Sequence, residues 1–240
     1  MRAGEENRRI RFVSFSGIDG AGKSTQIRRL CAAFEQAGLR YSLVSFWDDV
    51  AQFKRLREGT AHLIFKGDQG VGTPSAPISR RDKNVRSWLM TVVRLCVYLT
   101  DAVSTRSFMK RAQRSDVDVV IFDRFIYDEL ANLRLKNAVM RTYARTIVSL
   151  VPKPHISFLL DSDPMEARTR KPEYPLEFLR FSRKSYLALS ELIGGMTIIA
   201  PLPVREVERE VLDRVESALS FAPAQDTSDA SQHLVESAFK

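Results

Sequence analysis

The chain has 240 residues, 44% of them hydrophobic and 28% charged, with a formal net charge of +8. This composition is typical of a globular protein with an apolar core, and it excludes a largely disordered or fibrous chain. No stretch approaches the ~20 apolar residues of a membrane-spanning helix. The charged amino terminus is unlike a signal peptide, so we expect a cytoplasmic protein without a membrane partner. Cys31 and Cys96 lie in apolar helical patterns and are expected to be reduced core thiols.

Segments that favour strands alternate with segments that favour helices along the chain. Strands are predicted at 11–15, 41–46, 117–122, 156–160 and 196–200. Helices are predicted at 23–37, about 83–111, 127–150 as one or two helices, a short stretch ending before Pro172, 176–193 and 204–219. This alternation predicts an α/β fold, in which a five-stranded parallel sheet carries helices on both faces.

One domain is expected, over residues 10–220. The polar segment 1–9 is predicted to be a flexible arm, and the small polar residues of 221–240 predict a disordered tail. Segment 58–79 contains four glycines and two prolines, which favours a mobile loop of undetermined role.

The segment between the first strand and the first helix fits the phosphate-binding pattern G-x-x-x-x-G-K-[ST], as Gly17–Ser24. Glycines let backbone N–H groups approach phosphates, and the helix amino terminus adds its positive dipole end. Lys23 would contact the β- and γ-phosphates of ATP, and the Ser24 hydroxyl would ligate Mg²⁺. The residues predicted to bind the nucleotide are Gly17, Asp19, Gly20, Ala21, Gly22, Lys23, Ser24 and Thr25. The fold class is therefore the three-layer sandwich of P-loop NTPases.

Asp123 and Arg124 follow the apolar run VDVVIF, which is typical of a buried parallel strand. A carboxylate at such a strand end can join the Mg²⁺ shell, so Asp123 is predicted as a metal ligand with Ser24. Arg124 could grip an acceptor phosphate or carboxylate through two hydrogen bonds.

A short basic helix follows the strand ISFLL. Asp163 is predicted to cap its amino terminus, with Pro164 in the first helical position. Arg168 and Arg170 on this helix suggest a closing lid near residues 166–175 that neutralises charge during transfer. The next helix carries Arg180, Arg183 and Lys184 on one face, for which a solvated surface and a catalytic role both stay open.

The net charge of +8 can be explained by either of two kinds of ligand. Nucleic-acid binding is one, but the basic residues are scattered in short clusters rather than in a long basic helix. A site for phosphorylated small molecules is the favoured one.

Four segments resemble the thymidylate kinase family of nucleoside monophosphate kinases: Phe15–Gln26, Ile121–Phe125, Leu159–Lys171 and Phe178–Leu189. The resemblance implies transfer of the γ-phosphoryl group of ATP to a nucleoside monophosphate, with thymidylate as first candidate, and a homodimer built on the long helix. It places Asp19 near the acceptor sugar and the reacting phosphates, and Arg124 on the acceptor phosphate. Some members carry a catalytic arginine inside the loop. Because Ala21 stands there, Arg168 and Arg170 would supply that charge.

Three segments depart from the family pattern where the acceptor is read. Phe46–Asp49 replaces an Arg-Glu-Pro segment, Thr100–Ala102 replaces an Ala-Asp-Arg step, and Tyr127–Asn132 replaces a serine followed by Ala-Tyr-Gln. A kinase of another small acceptor, such as a nucleoside, a sugar or another metabolite, is therefore an alternative. A non-catalytic protein that binds nucleotides or associates with nucleic acid is a second one.

Overall fold

The computed structural model describes residues 10–51 and 88–219. The predicted arm at 1–9, the predicted mobile loop at 58–79 and the predicted tail at 221–240 lie outside the described residues.

A five-stranded parallel sheet forms the centre of the molecule, in the order β2-β3-β1-β4-β5. The strands are β1 Arg11–Ser16, β2 Tyr41–Ser45, β3 Val119–Asp123, β4 Ile156–Leu160 and β5 Thr197–Ile199. Phe15 and Ser45 both pair with Asp123, so the carboxyl ends of β1, β2 and β3 lie side by side. The predicted fold class is confirmed.

Seven α-helices are described: α1 Lys23–Gln36, α2 Trp88–Ala112, α3 Ile126–Leu130, α4 Ala138–Leu150, α5 Pro164–Arg170, α6 Leu176–Ile193 and α7 Val204–Leu219. A π-helical turn at Phe46–Val50, which was not predicted, follows β2 directly. Its start is fixed by Ser45, whose N–H donates to Asp49 and whose hydroxyl donates to Asp48. Phe46 is buried in this turn rather than extending β2.

Alternation along the strands sends apolar side chains into two separate cores. On one face Phe12 and Phe122 pack with residues of α2, α3, α4 and α6. On the other face Phe15 and Phe158 stack with ring centroids 5.0 Å apart and pack with residues of α1 and α7. The result is a three-layer sandwich whose strand ends remain open at one edge.

The long helix α2 is oriented differently from the prediction. Apolar residues recur at helical spacing along this helix and predict one wide apolar face, but Val92, Val93, Cys96, Leu99 and Val103 on that face are exposed. Tyr98, Ala102 and Met109 are buried instead. Cys96 is therefore no core thiol, and Cys31 is only partly buried. Within the described residues, none of the helices has the length and apolar character needed to cross a membrane.

Candidate active site

The phosphate-binding loop joins β1 to α1 through backbone conformations that favour glycine. Gly17, Gly20 and Gly22 have φ angles of 142°, 84° and 92°. Gly22 precedes α1, and its carbonyl accepts the N–H groups of Thr25 and Gln26. The loop therefore ends at the amino terminus of α1, a position at which helix N–H groups favour an anion.

Helix α5, the predicted lid, packs against the tip of this loop. A Cβ atom placed on Gly20 would lie 2.2 Å from the carbonyl oxygen of Ala167. A Cβ on Gly17 would lie 2.6 Å from the carbonyl oxygen of Leu160, at the end of β4. The loop and the backbone of α5 are therefore in direct contact, and only glycine fits between them.

We expect Gly20→Ala to destabilise the protein much more than Gly38→Ala does. Both glycines have positive φ, which costs an alanine about 1–2 kcal/mol. A Cβ on Gly38 meets nothing within 4 Å, whereas at Gly20 overpacking against Ala167 adds about 1–3 kcal/mol. Urea unfolding of both variants measures the difference. Equal losses of unfolding free energy would show that α5 does not press on the loop.

Lys23 lies folded into the loop and is almost completely buried. Its Nζ donates hydrogen bonds to the carbonyl oxygens of Gly17 and Ile18, at 2.8 and 2.9 Å. Burial, with Arg124 nearby, lowers the pKa of Lys23 to about 8, while Asp128, Asp19 and Asp123 oppose this shift. At neutral pH the ammonium group is still mostly charged, and an anion placed beside it would raise its pKa again.

Arg124 follows β3 in a backbone conformation that is rare for a side chain other than glycine. Its φ is 69°, and its N–H donates to the carbonyl oxygen of Phe15 at 3.0 Å. The guanidinium group pairs with Asp19 and, at 3.1 Å, with Asp128. Although burial alone would lower the pKa of Arg124, the surrounding acidic groups raise it, so its charge is permanent. The side chain remains 21% exposed and can reach a ligand.

Two predicted carboxylates lie beside these cations. Burial pushes the pKa of Asp19 upwards, but Arg124, Lys23 and Lys171 together bring it below its ordinary value. Asp123 ends β3 beside Phe15 of β1, next to the loop, and its charge raises the pKa of both Lys23 and Arg124. The structure thus brings Asp19, Lys23, Asp123 and Arg124 together at one edge of the sheet.

The remaining loop residues surround this group. Ser24 is exposed in the first turn of α1, and Ala21 and Thr25 are partly exposed. Within the described ranges, no cluster of three or more acidic, histidine or cysteine side chains is placed to hold a metal alone. Mg²⁺ commonly uses one or two protein oxygens together with phosphates and water. The hydroxyl of Ser24 and the carboxylate of Asp123 fit such a donor set.

The two predicted lid arginines lie on α5. Asp163 caps this helix through the N–H groups of Met165 and Glu166, as predicted. Arg170 donates to the hydroxyl of Ser162 at 2.6 Å. Arg168 is half-buried, and in the described part of the chain neither arginine pairs with Asp19, the carboxylate that Arg124 binds. The structure therefore places them next to the loop but not in the central group.

Two residues beside the site were not assigned a role from the sequence, Arg183 and Asp128. Arg183, on α6, binds Asp161 through two hydrogen bonds of 2.7 Å, so it is not a free solvated cation. Asp128 is buried and accepts hydrogen bonds from Ser16, Arg124 and Tyr186. The one available signal for Asp128 was an acidic residue in the segment where the family pattern has a serine.

The loop, the Asp-Arg pair on the neighbouring strand and the parallel sheet define a P-loop kinase. No family model matches the chain. The probable thymidylate kinase of Thermococcus kodakarensis is 27% identical over 217 residues, which covers 87% of this chain and 98% of that one. The thymidylate kinase of a Polaromonas species is 28% identical over 73% of this chain and 81% of its own.

A solved structure shares the fold. The thymidylate kinase of Ehrlichia chaffeensis superposes with a TM-score of 0.50 at 19% identity, over 86% of this chain and 99% of that one. The chain is therefore similar to thymidylate kinases over most of its length and shares their fold.

Proposed function

We propose that the protein transfers the γ-phosphoryl group of ATP to a nucleoside monophosphate, with thymidylate as the first candidate. One observation carries the proposal: Lys23, Asp19, Asp123 and Arg124 converge where β1 and β3 end. Nucleotides bind at this edge in open parallel sheets. The relatives' names supply the acceptor, which is why it is tested first.

The donor side is the loop itself. Backbone N–H groups from Gly22 to Ser24 would surround the phosphates of ATP, and Ala21 offers no side chain that competes with them. Lys23 already points its ammonium group at the loop carbonyls of Gly17 and Ile18. Turning Nζ towards a γ-phosphate exchanges these neutral acceptors for a charged one, which strengthens its hydrogen bonds as charge develops.

The acceptor side is Arg124, supported by Asp19. A guanidinium group fixed on two sides can bind the acceptor phosphate with its remaining N–H donors and hold it in line with the donor. The side chains of Arg168 and Arg170, on α5, would then turn towards the transferred group, as lid residues do during closure. Arg170 has to leave Ser162 to do so.

Mg²⁺ is part of the proposal, with Ser24 and Asp123 as its protein ligands. When bound, it neutralises charge on the β- and γ-phosphate oxygens during transfer. The chain's own contribution is to place a hydroxyl and a carboxylate on adjacent elements, α1 and β3.

A coupled assay for ADP with a panel of acceptors tests the function. We expect turnover with thymidylate to exceed turnover with thymidine or with sugars by at least about 100-fold, because Arg124 requires a phosphate. Other nucleoside monophosphates in the same panel determine which base is read. Nucleotide binding without turnover on any acceptor would contradict the kinase proposal.

A different acceptor is the second candidate, and one observation favours it. Ala102 stands where the family pattern has a phosphate-binding arginine, and it is completely buried. Arg106, one turn further along α2, donates instead to the carbonyl oxygen of Leu150 at 3.0 Å. Within the described part of α2, neither Ala102 nor Arg106 is therefore placed to do the work of that arginine. The panel of acceptors decides between the two acceptor classes.

We also propose a cytoplasmic homodimer built on α2. The exposed side chains of Val92, Leu99 and Val103 lie along one stripe of this helix, and a second copy of the same helix would cover them. The test is the mass of the protein in solution, and a monomer at micromolar concentration would contradict it. The unpaired cysteines Cys31 and Cys96 suit a reducing cytoplasm.

A further inference from the structure

Asp128 is a buried carboxylate beside Arg124, and each of its oxygens accepts two hydrogen bonds. It lies in α3 and is 3% exposed. Its Oδ1 accepts from Arg124 Nη1 at 3.1 Å and from the Tyr186 hydroxyl at 2.7 Å. Its Oδ2 accepts from the Ser16 hydroxyl at 2.6 Å and from the Phe125 N–H at 3.1 Å. These four donors fill the acceptor capacity of a carboxylate.

The donors come from separate parts of the fold. Ser16 ends β1 immediately before the phosphate-binding loop, and Tyr186 belongs to α6, the helix that follows the lid helix α5. Burial and the Asp128 carboxylate raise the pKa of Tyr186 well above its ordinary value, so its hydroxyl stays protonated and donates. Asp128 therefore ties α3 to the loop on one side and to α6 on the other.

Arg124 is the residue whose conformation needs such support. Its φ of 69° is disfavoured for any residue with a side chain, and such a conformation persists only where the surroundings determine it fully. Asp128 accepts from the guanidinium group of Arg124 and also from the next backbone N–H, that of Phe125. One carboxylate thus holds both the side chain and the adjacent peptide group.

We propose that Asp128 is a positioning residue that aims the guanidinium group of Arg124 at the acceptor phosphate. This inference rests on the proposed role of Arg124 in the acceptor site. The two carboxylates that bind Arg124 differ in rigidity. Asp19 is 22% exposed and lies at the loop, whereas Asp128 is buried and is held by its other donors. Asp128 is consequently the rigid anchor of the pair.

The test is Asp128→Asn, which keeps the shape of the side chain and removes its charge. We expect KM for the acceptor to rise about tenfold, because a charge-assisted hydrogen bond is lost, while KM for ATP stays within about twofold. In an Arg124→Ala background the same change should leave acceptor KM unaltered, because Asp128 acts through Arg124. Equal increases for both substrates, or an undiminished effect in the Arg124→Ala background, would overturn the proposal.

A measurement without any acceptor separates this inference from the proposed function. In ¹⁵N-labelled protein, the Arg124 Nη–H signals, assigned by their loss in Arg124→Lys, should lose protection from solvent exchange in Asp128→Asn, because Nη1 donates to Asp128. Unchanged protection would overturn the positioning role even if the kinase activity is established. If Asp128→Asn does not fold, Tyr186→Phe replaces it, since it removes one of the donors that fix Oδ1. In that variant we expect acceptor KM to rise about threefold, and an unchanged KM would overturn the proposal.

Discussion

Lys23→Ala is expected to lower the rate of phosphoryl transfer by about 1,000-fold, because it removes the cation that we propose faces the transferred group. The ammonium group is nearly completely buried and lies among Asp19, Asp123 and Asp128, so no solvent cation can take its place with the same geometry. KM for ATP should rise less than kcat falls, since the backbone N–H groups of the loop remain. Steady-state kinetics with both substrates measure the two effects separately.

The fold should survive this change. Removing Lys23 eliminates two hydrogen bonds to loop carbonyls together with a charge that burial disfavours, so the free energy of unfolding should change by no more than about 1–2 kcal/mol. Lys153→Ala is the matched control, because Lys153 is exposed and lies just before β4, at the opposite end of the strands. It should retain wild-type kinetics. Full activity in Lys23→Ala would remove Lys23 from the site.

The sequence predicted the parts of the molecule that are encoded locally. The loop Gly17–Ser24 is one continuous motif, and its strand and helix flank it directly. Asp123 could be predicted to approach the loop because parallel strands place their carboxyl ends at one edge, and β1 and β3 are indeed neighbours. Such inferences need only motif spacing and the alternation of elements.

The orientation of α2 could not be predicted in the same way. Apolar residues occupy more than one face of this helix, so periodicity alone does not tell which face meets the sheet. The structure buries Tyr98, Ala102 and Met109 and exposes Leu99 and Val103. The π-helical turn at 46–50 was missed for a related reason, because a single wide turn leaves no repeating pattern.

Pairs of polar residues that are distant in sequence were the hardest to foresee. Asp128 meets Ser16 across 112 positions and Tyr186 across 58. No local rule relates such positions, since they meet only when β1, α3 and α6 have packed. Arg183 illustrates the same point. The sequence left open whether it is a solvated surface cation or a catalytic one, and the structure shows that it binds Asp161, which follows β4.

Arg124→Ala is expected to lower kcat/KM for the acceptor by about 1,000-fold, or about 4 kcal/mol of transition-state stabilisation. The loss should fall on the acceptor rather than on ATP, which distinguishes it from the loss in Lys23→Ala. Arg124→Lys should recover little of it. A lysine has a single ammonium group and cannot contact Asp19 and Asp128 while also donating two hydrogen bonds to a phosphate.

Arg145→Ala provides the matched control for charge, because Arg145 is exposed on α4. It should leave both KM values unchanged, which excludes a general effect of removing one positive charge from a basic protein. Circular dichroism and thermal melting of Arg124→Ala check that Asp128, deprived of its cation, has not unfolded α3. A folded variant that phosphorylates the acceptor as fast as the wild type would show that another cation binds the acceptor phosphate. The convergence of Asp19, Asp128 and Arg124 would then be structural support for the loop.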